Sequence, residues 1–345
     1  MQRDKPIDFI EMPGHSGKLG IILLQRPAAL NAIDESMVCA IHQQLTQWAS
    51  DSVIKAVVIR STSGRAFCAG GDIRSLYEKK IKNDPTVGDF FKNEYQVNRQ
   101  IFHYQKPYIA LLDGITMGGG AGISIHGSHR VATPHLSFSM PETSIGYFPD
   151  IGGSYFLSRL PHKIGFYLGL TSERISYSDC LALGLVDTVI AADTQEQLIK
   201  KLAESALPDK AAVTRIIQPF SITTPASPLW AHHKEIERCF TKNTVEEILN
   251  ALESENNEWC LKTAAIIHTK SPSSLKITLR ALQKGSCLDF DACMQMEERL
   301  AISFMNSHDL FEGIRAVVID KDHMPRWKPA TLGQVTEEWV GKHFE

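Results

Sequence analysis

Apolar residues follow two rhythms along this chain, and the change between them falls near Asp193. Before that point short apolar runs alternate with amphipathic stretches. Residues 7–11 and 18–25 read as strands joined by Pro13, Gly14 and Gly17, and 56–60 (AVVIR) and 108–112 (YIALL) as buried strands. The last of these is bounded by Pro107 and Gly114. Asp34 is placed to cap a helix to about residue 48, Asp72 one to about 82, and Thr86 one to 102. The third carries Phe90, Phe91, Tyr95, Val97, Ile101 and Phe102 as an apolar face, with Glu94 beside it. Further on, 121–125, 161–170 and 178–183 suit helices, and 136–140 and 185–190 suit strands. Such alternation implies an α/β fold whose sheet is fed by crossovers.

Beyond Asp193 helical spacing dominates to Asp320, enough for five or six helices, with a capping box at Thr244 and Glu247 and an interruption at 218–228. The division is a core at 1–205 and a helical region at 206–345. Between them lies SALPDK, an ordinary loop, so the two are read as continuous.

The chemistry concentrates where apolar runs meet glycine. Gly118-Gly119-Gly120 follows the strand at 108–112 and opens the helix expected at 121–125, exposing backbone N–H groups at its positive end. A dinucleotide fingerprint would need glycine at Ile123 or Ile125; a phosphate loop would need lysine at Gly120; and the segment from Gly122 through Ser124 to Gly127 is one residue too long for a nucleophile elbow. The surviving ligand is a carbonyl oxygen that gains charge during reaction, held in an oxyanion hole. A second donor is available in SGRAFCAGGDIRSL, where Gly71 follows a strand and precedes a helix. Tight turns and close packing are the competing explanation for both glycine clusters.

RAFCAGGDIRSLYE, GITMGGGAG and MPETSIGYFPDIGG resemble the enoyl-CoA hydratase/isomerase (crotonase) superfamily, and NTVEEIL, SPSSLKITLRAL, HDLFEGIRAVVIDKD and RWKPATLGQVTEE resemble its hydrolase branch over nearly the whole chain. The resemblance implies a ββα spiral core with a helical C-terminal region packed against it. It also implies backbone amides at Gly71 and Gly119 that polarise an acyl-CoA thioester, and hydrolysis of a short-chain 3-hydroxyacyl-CoA, 3-hydroxyisobutyryl-CoA foremost. Glu94, Gly118, Gly120, Ala69, Leu30 and Ala32 become substrate-contacting positions, with 29–32 against the nucleotide end of coenzyme A. By periodicity alone Glu94 is a solvated neighbour of the apolar stripe, and 29–32 a strand-to-helix loop. Trimers, or multiples of them, are the assembly the superfamily suggests. Coenzyme A enters as part of the substrate, and no other cofactor and no metal is expected.

Two acids, Glu142 and Asp150, stand eight positions apart around Gly146 and Pro149. Fully extended, that stretch would span roughly 26–29 Å, so the pair shares a site only if the loop folds back. The chemistry expected is Glu142 attacking or activating water, with Asp150 orienting the reacting group and managing protons. Asp150 also suits an N-cap of a helix starting at Gly152-Gly153. Hydratases of the superfamily hold water between two glutamates, and Gly122 stands where the first would be. Isomerase or hydratase chemistry is the alternative, and a non-catalytic structural role the third reading.

Composition narrows this little further. A net charge of −3 supplies no basic field for nucleic acid, and no apolar run is long enough to span a bilayer. Seven cysteines without a CxxC pair fit a reducing compartment. The opening residues, with Asp4, Asp8 and Glu11, resemble neither a secretory signal nor a transit peptide, which fits a bacterial cytoplasmic protein or a processed mitochondrial matrix form. Among the 13 histidines, His126, His129 and His135 lie nearest the glycines and acids but form no metal motif; they read as helix-surface or loop residues. Arg26, Arg65 and Arg74 are the neighbourhood candidates for the coenzyme phosphates.

Overall fold

The computed structural model describes residues 5–345; the first four, Asp4 with them, lie outside it. Strands β1 (Ile7–Pro13) and β2 (Lys18–Leu24) form an antiparallel hairpin, followed by helix α1 (Glu35–Ser50), whose N-cap Asp34 accepts from the Met37 amide. Next come β3 (Ile54–Ser61), β4 (Ala66–Cys68), α2 (Ile73–Ile81, capped by Asp72) and α3 (Asp89–Phe102). Then follow β5 (Tyr108–Leu112), β6 (Ile115–Met117), α4 (Gly119–Gly122), β7 (His129–Ala132), β8 (Ser137–Ser139) and α5 (Gly153–Phe156). After α6 (Ile164–Thr171), β9 (Ile175–Ser176), α7 (Tyr177–Ala182) and β10 (Thr188–Val189), the chain is helical: α8 (Gln195–Ala203), α9 (Lys210–Ile217), α10 (His233–Phe240), α11 (Val245–Ser254), α12 (Glu258–His268), α13 (Pro272–Gly285), α14 (Phe290–Phe304), α15 (His308–Ile314) and α16 (Glu337–Gly341).

Several elements are shorter than their apolar patterns. The expected helix at 161–170 starts only at Ile164, because His162 and Lys163 take positive φ values of 53° and 60°. The strand expected at 185–190 shortens to Thr188 and Val189, which pair with β7, and Ile190 makes a single bridge to Ser221. Thr86 lies in a turn before α3 and not at its start. In place of five or six helices after Asp193, eight run from α8 to α15, since each capping residue interrupts what periodicity alone would join. Thr244 and Glu247 do form their capping box.

Contacts gather the chain into two compact units. The first comprises the chain up to Gly71, Asn93–Phe138 and Ile175–Pro228; the second comprises Asp72–Lys92, Ser139–Arg174 and Leu229–Glu345. In the first, a six-stranded sheet has the order β1-β2-β3-β5-β7-β10, parallel from β2 onward, and β4-β6-β8-β9 form a second sheet. Each central strand is followed by a short one of the second sheet, β3 by β4, β5 by β6 and β7 by β8, giving the repeating ββα turn. Strands buried on both faces carry continuous apolar runs, as β3 and β5 do. Leu19, Ile21, Ala56, Val58, Ile109 and Leu111, two apart along their strands, join Leu198, Leu202, Val213 and Ile217 of α8 and α9 in one core. On the other face Gly20 leaves room for Trp48 of α1, whose indole ring a β-carbon there would approach to 2.8 Å.

The second unit is helical. At its centre α6 is buried along its whole length, with Leu282 and Thr278 of α13 close against Gly169. Among the described residues no helix is long and apolar enough to cross a membrane.

Candidate active site

The candidate residues of the first unit centre on glycine main chain. Gly118 is the N-cap of α4, with φ 46° and ψ −122° and no capping side chain; α4 is a single buried turn beginning at Gly119, not the longer helix expected at 121–125. As its first residue, Gly119 has an amide with no acceptor inside the helix. A β-carbon on Gly119 would run into Oε1 of Glu94 and lie 3.2 Å from the Gly71 nitrogen, so the two glycines expected to share an oxygen are neighbours. Gly120 has a packing reason of its own, because a β-carbon there would collide with the Cys68 carbonyl of β4.

Glu94 is 3% exposed and stands beside Gly119, which replaces the solvated-neighbour reading with a buried carboxylate at the glycine cluster. Leu30 and Ala32 lie on a loop fixed by Asn31, whose buried amide donates to Ser61 Oγ and the Ala66 and Phe67 carbonyls at 2.7, 3.0 and 3.1 Å. Leu30 and Asn31 adopt positive φ (51° and 55°), a strained turn for a leucine. The Ala69 amide donates to the Leu30 carbonyl and the Ile33 amide to the Gly70 carbonyl, so Leu30, Ala32, Ala69 and Gly71 form one half-buried edge.

The arginines proved less available than their positions suggest. Arg26 donates to the Ala32 carbonyl at 3.0 Å and so fastens this loop, and Arg74, in the second unit, donates to the Val318 carbonyl at 2.8 Å. Arg65 is exposed. His129, expected on a surface or loop, is buried in β7 and bonded to the Lys210 carbonyl and the Thr214 hydroxyl, a structural role; burial holds its pKa below the usual value.

The candidate residues of the second unit are carboxylates. Glu142 opens a 3-10 turn that ends at Gly146, whose φ of 72° suits glycine, and a β-carbon on Gly146 would strike the Asp309 carbonyl. Asp309 is itself anchored by the hydroxyls of Ser271 and Ser273 at 2.6 and 3.0 Å. Glu142 and Asp150 are 5% and 4% exposed, and the left-handed Gly146 turns the chain between them. Burial, then the charges of Asp150 and Glu297, push the Glu142 carboxyl well above the usual carboxylate range. Part of that apolar setting is aromatic: Tyr147 and Phe148 pack against Phe304, with ring centroids 5.3 Å apart in each case. Among the described residues Oε2 of Glu142 has no hydrogen-bond partner, although it is buried.

The cap expected of Asp150 is supplied by a residue the sequence did not single out. Gly152 is the N-cap of α5 and carries no side chain to cap with; the amides of Gly152 and Ser154 donate instead to Glu297 of α14, at 2.7 and 2.8 Å. The available signal was an acid inside an apolar stripe, with Met294, Leu300, Ala301 and Phe304 sharing its buried helix face.

The enoyl-CoA hydratase/isomerase family profile matches residues 19–344. The chain belongs to this family. It is 41% identical to the mitochondrial 3-hydroxyisobutyryl-CoA hydrolase of Homo sapiens over 95% of this chain and 86% of that one. With the same enzyme of Danio rerio it shares 42% over 95% and 87%. Among solved structures it is similar to a carnitinyl-CoA dehydratase from Mycobacterium thermoresistibile (TM-score 0.90, 33% identity, 98% and 96% of the two chains). It is also similar to an enoyl-CoA hydratase from Rhodobacter sphaeroides (TM-score 0.88, 35%, 98% and 97%). These likenesses bear out the crotonase fold read from the glycine and acid motifs.

Proposed function

We propose that this chain hydrolyses a short-chain 3-hydroxyacyl-CoA, 3-hydroxyisobutyryl-CoA foremost, to the free hydroxy acid and coenzyme A. The observation that carries the reading is Glu142: a buried carboxylate with one oxygen unpartnered among the described residues, in a family whose hydrolases are this chain's full-length relatives. In the proposed reaction the Gly71 and Gly119 amides bind the thioester oxygen as it becomes an oxyanion. Glu142 either attacks the carbonyl carbon, forming a mixed anhydride that water then cleaves, or takes the proton of an attacking water. The thiolate of coenzyme A leaves with the electron pair of the C–S bond, and Asp150 orients the reacting group and relays to the thiolate the proton given up by the water. Glu94, Gly118, Gly120, Ala69, Leu30 and Ala32 are assigned to substrate contact, the last two toward the nucleotide.

Two similar structures are a hydratase and a dehydratase, but this chain has Gly122, buried in α4, where hydratases of the superfamily carry their first glutamate. We place the protein in a reducing compartment, bacterial cytoplasm or mitochondrial matrix, and expect trimers or multiples of them. The test is to supply 3-hydroxyisobutyryl-, 3-hydroxypropionyl- and crotonyl-CoA with a thiol reagent. Free thiol released fastest from 3-hydroxyisobutyryl-CoA is expected. Crotonyl-CoA consumed without free thiol would establish hydration instead, and no turnover of any substrate would leave a structural role.

A further inference from the structure

Immediately after Asp150 the backbone takes an unfavourable course. Ile151 has φ 55° and Gly152 φ 85°, and a β-branched residue at positive φ is an outlier. Such a conformation is strained and persists only where its surroundings over-determine it. Here they do. Glu297, fully buried on α14, accepts the Gly152 amide on Oε2 and the Ser154 amide on Oε1, and Oε1 also accepts the Ser154 hydroxyl. From the other side Gly285 of α13 lets the chain in close, since a β-carbon there would collide with the Ser154 carbonyl. One carboxylate, 143 residues beyond Ser154, thus satisfies the exposed amides at the start of α5 and locks the strained turn that carries Asp150.

We propose that Glu297 is a positioning residue for the thioester hydrolysis, fixing Asp150 through the Gly152–Ser154 turn. The role rests on the hydrolase reading above. The titratable groups that bear on Glu297 are Asp150 and Glu142 from the preceding loops and Cys293 one turn earlier on its own helix. Burial pushes the Glu297 carboxyl up to about 8, with the hydrogen bonds from Ser154 and Gly152 opposing it.

A purely structural clamp would alter stability and leave kcat of the folded protein where it is. In Glu297→Gln the side-chain amide must face one of the two backbone amides, donor against donor, which frees part of the turn. With 3-hydroxyisobutyryl-CoA as substrate we expect kcat to fall about 10²-fold, the scale of a misplaced catalytic group. KM should stay near the wild-type value. Ser154→Ala keeps both amide bonds and removes only the hydroxyl donor to Glu297. Its kcat should fall by less, with KM again unmoved, and it carries the test if Glu297→Gln does not fold. Wild-type kcat in the folded variants would overturn the role of Glu297 alone. Absence of wild-type turnover would overturn the hydrolase reading and this role with it.

Discussion

The two units hold different kinds of group. In the first, the candidate donors are glycine amides, and a β-carbon would strike the buried Glu94 carboxylate at Gly119 and the Cys68 carbonyl at Gly120. In the second, the groups are three buried carboxylates, Glu142, Asp150 and Glu297. Amide dipoles fixed by packing keep the same polarity at every pH, whereas clustered buried acids do not. The hydrolase, on this account, takes its electrophilic assistance from the rigid part and its pH dependence from the titratable part.

That contrast is open to test in descending order of effect. Glu142→Gln removes the acting carboxylate and should lower kcat by about 10²–10⁴-fold with little change in KM, measured by steady-state release of CoA. Gly119→Ala drives a methyl group against Glu94 and shifts an amide donor; a loss of ~2.7–4 kcal/mol of transition-state stabilisation is expected in kcat, at unchanged pH dependence. A pH profile that moved with Gly119→Ala would break the division between the two units. Asp150→Asn should reduce kcat while the thermal midpoint stays near wild type, because Glu297 holds the Gly152 and Ser154 amides at the start of α5.

Stability should carry the same signature. Glu142 and Glu297 both have folded-state pKa values raised above the ordinary 4.5, Glu297 to about 8. Their protonated forms therefore favour the folded chain. That contribution is complete below the unfolded value and is lost as the pH rises through the folded one. The thermal midpoint should fall across the window from 4.5 to about 8 and above, and Glu142→Gln should flatten the fall. An identical slope in the variant would contradict a raised Glu142. The smallest effect belongs to Thr244→Ala in the capping box of α11, about 1 kcal/mol in urea unfolding with kcat unchanged.

The same contrast explains what the sequence made legible. The strand at 108–112 was readable to the residue because a proline and a glycine bound a short apolar run. The glycine clusters were readable because strand, glycine and helix are contiguous there. Glu94 was misjudged by periodicity, since a carboxylate beside an apolar stripe ordinarily faces water and here is drawn inward next to Gly119. Glu297 was missed because the amides it satisfies lie about 145 residues earlier, and no local rule connects an acid on one helix to a turn so remote. The helical region fragmented further than its periodicity implied: Asn256 at φ 49° separates α11 from α12, and Ser271 with Pro272 restarts α13.

The central claim, that a buried glutamate cleaves the thioester, is tested most directly by a single turnover. Excess protein is mixed with 3-hydroxyisobutyryl-CoA, and free CoA and free acid are followed together in wild type and Glu142→Gln. The account predicts that both products appear in equal amounts with the wild type, and that the variant binds the substrate yet releases neither on that timescale. Release of CoA by Glu142→Gln at the wild-type rate would contradict it.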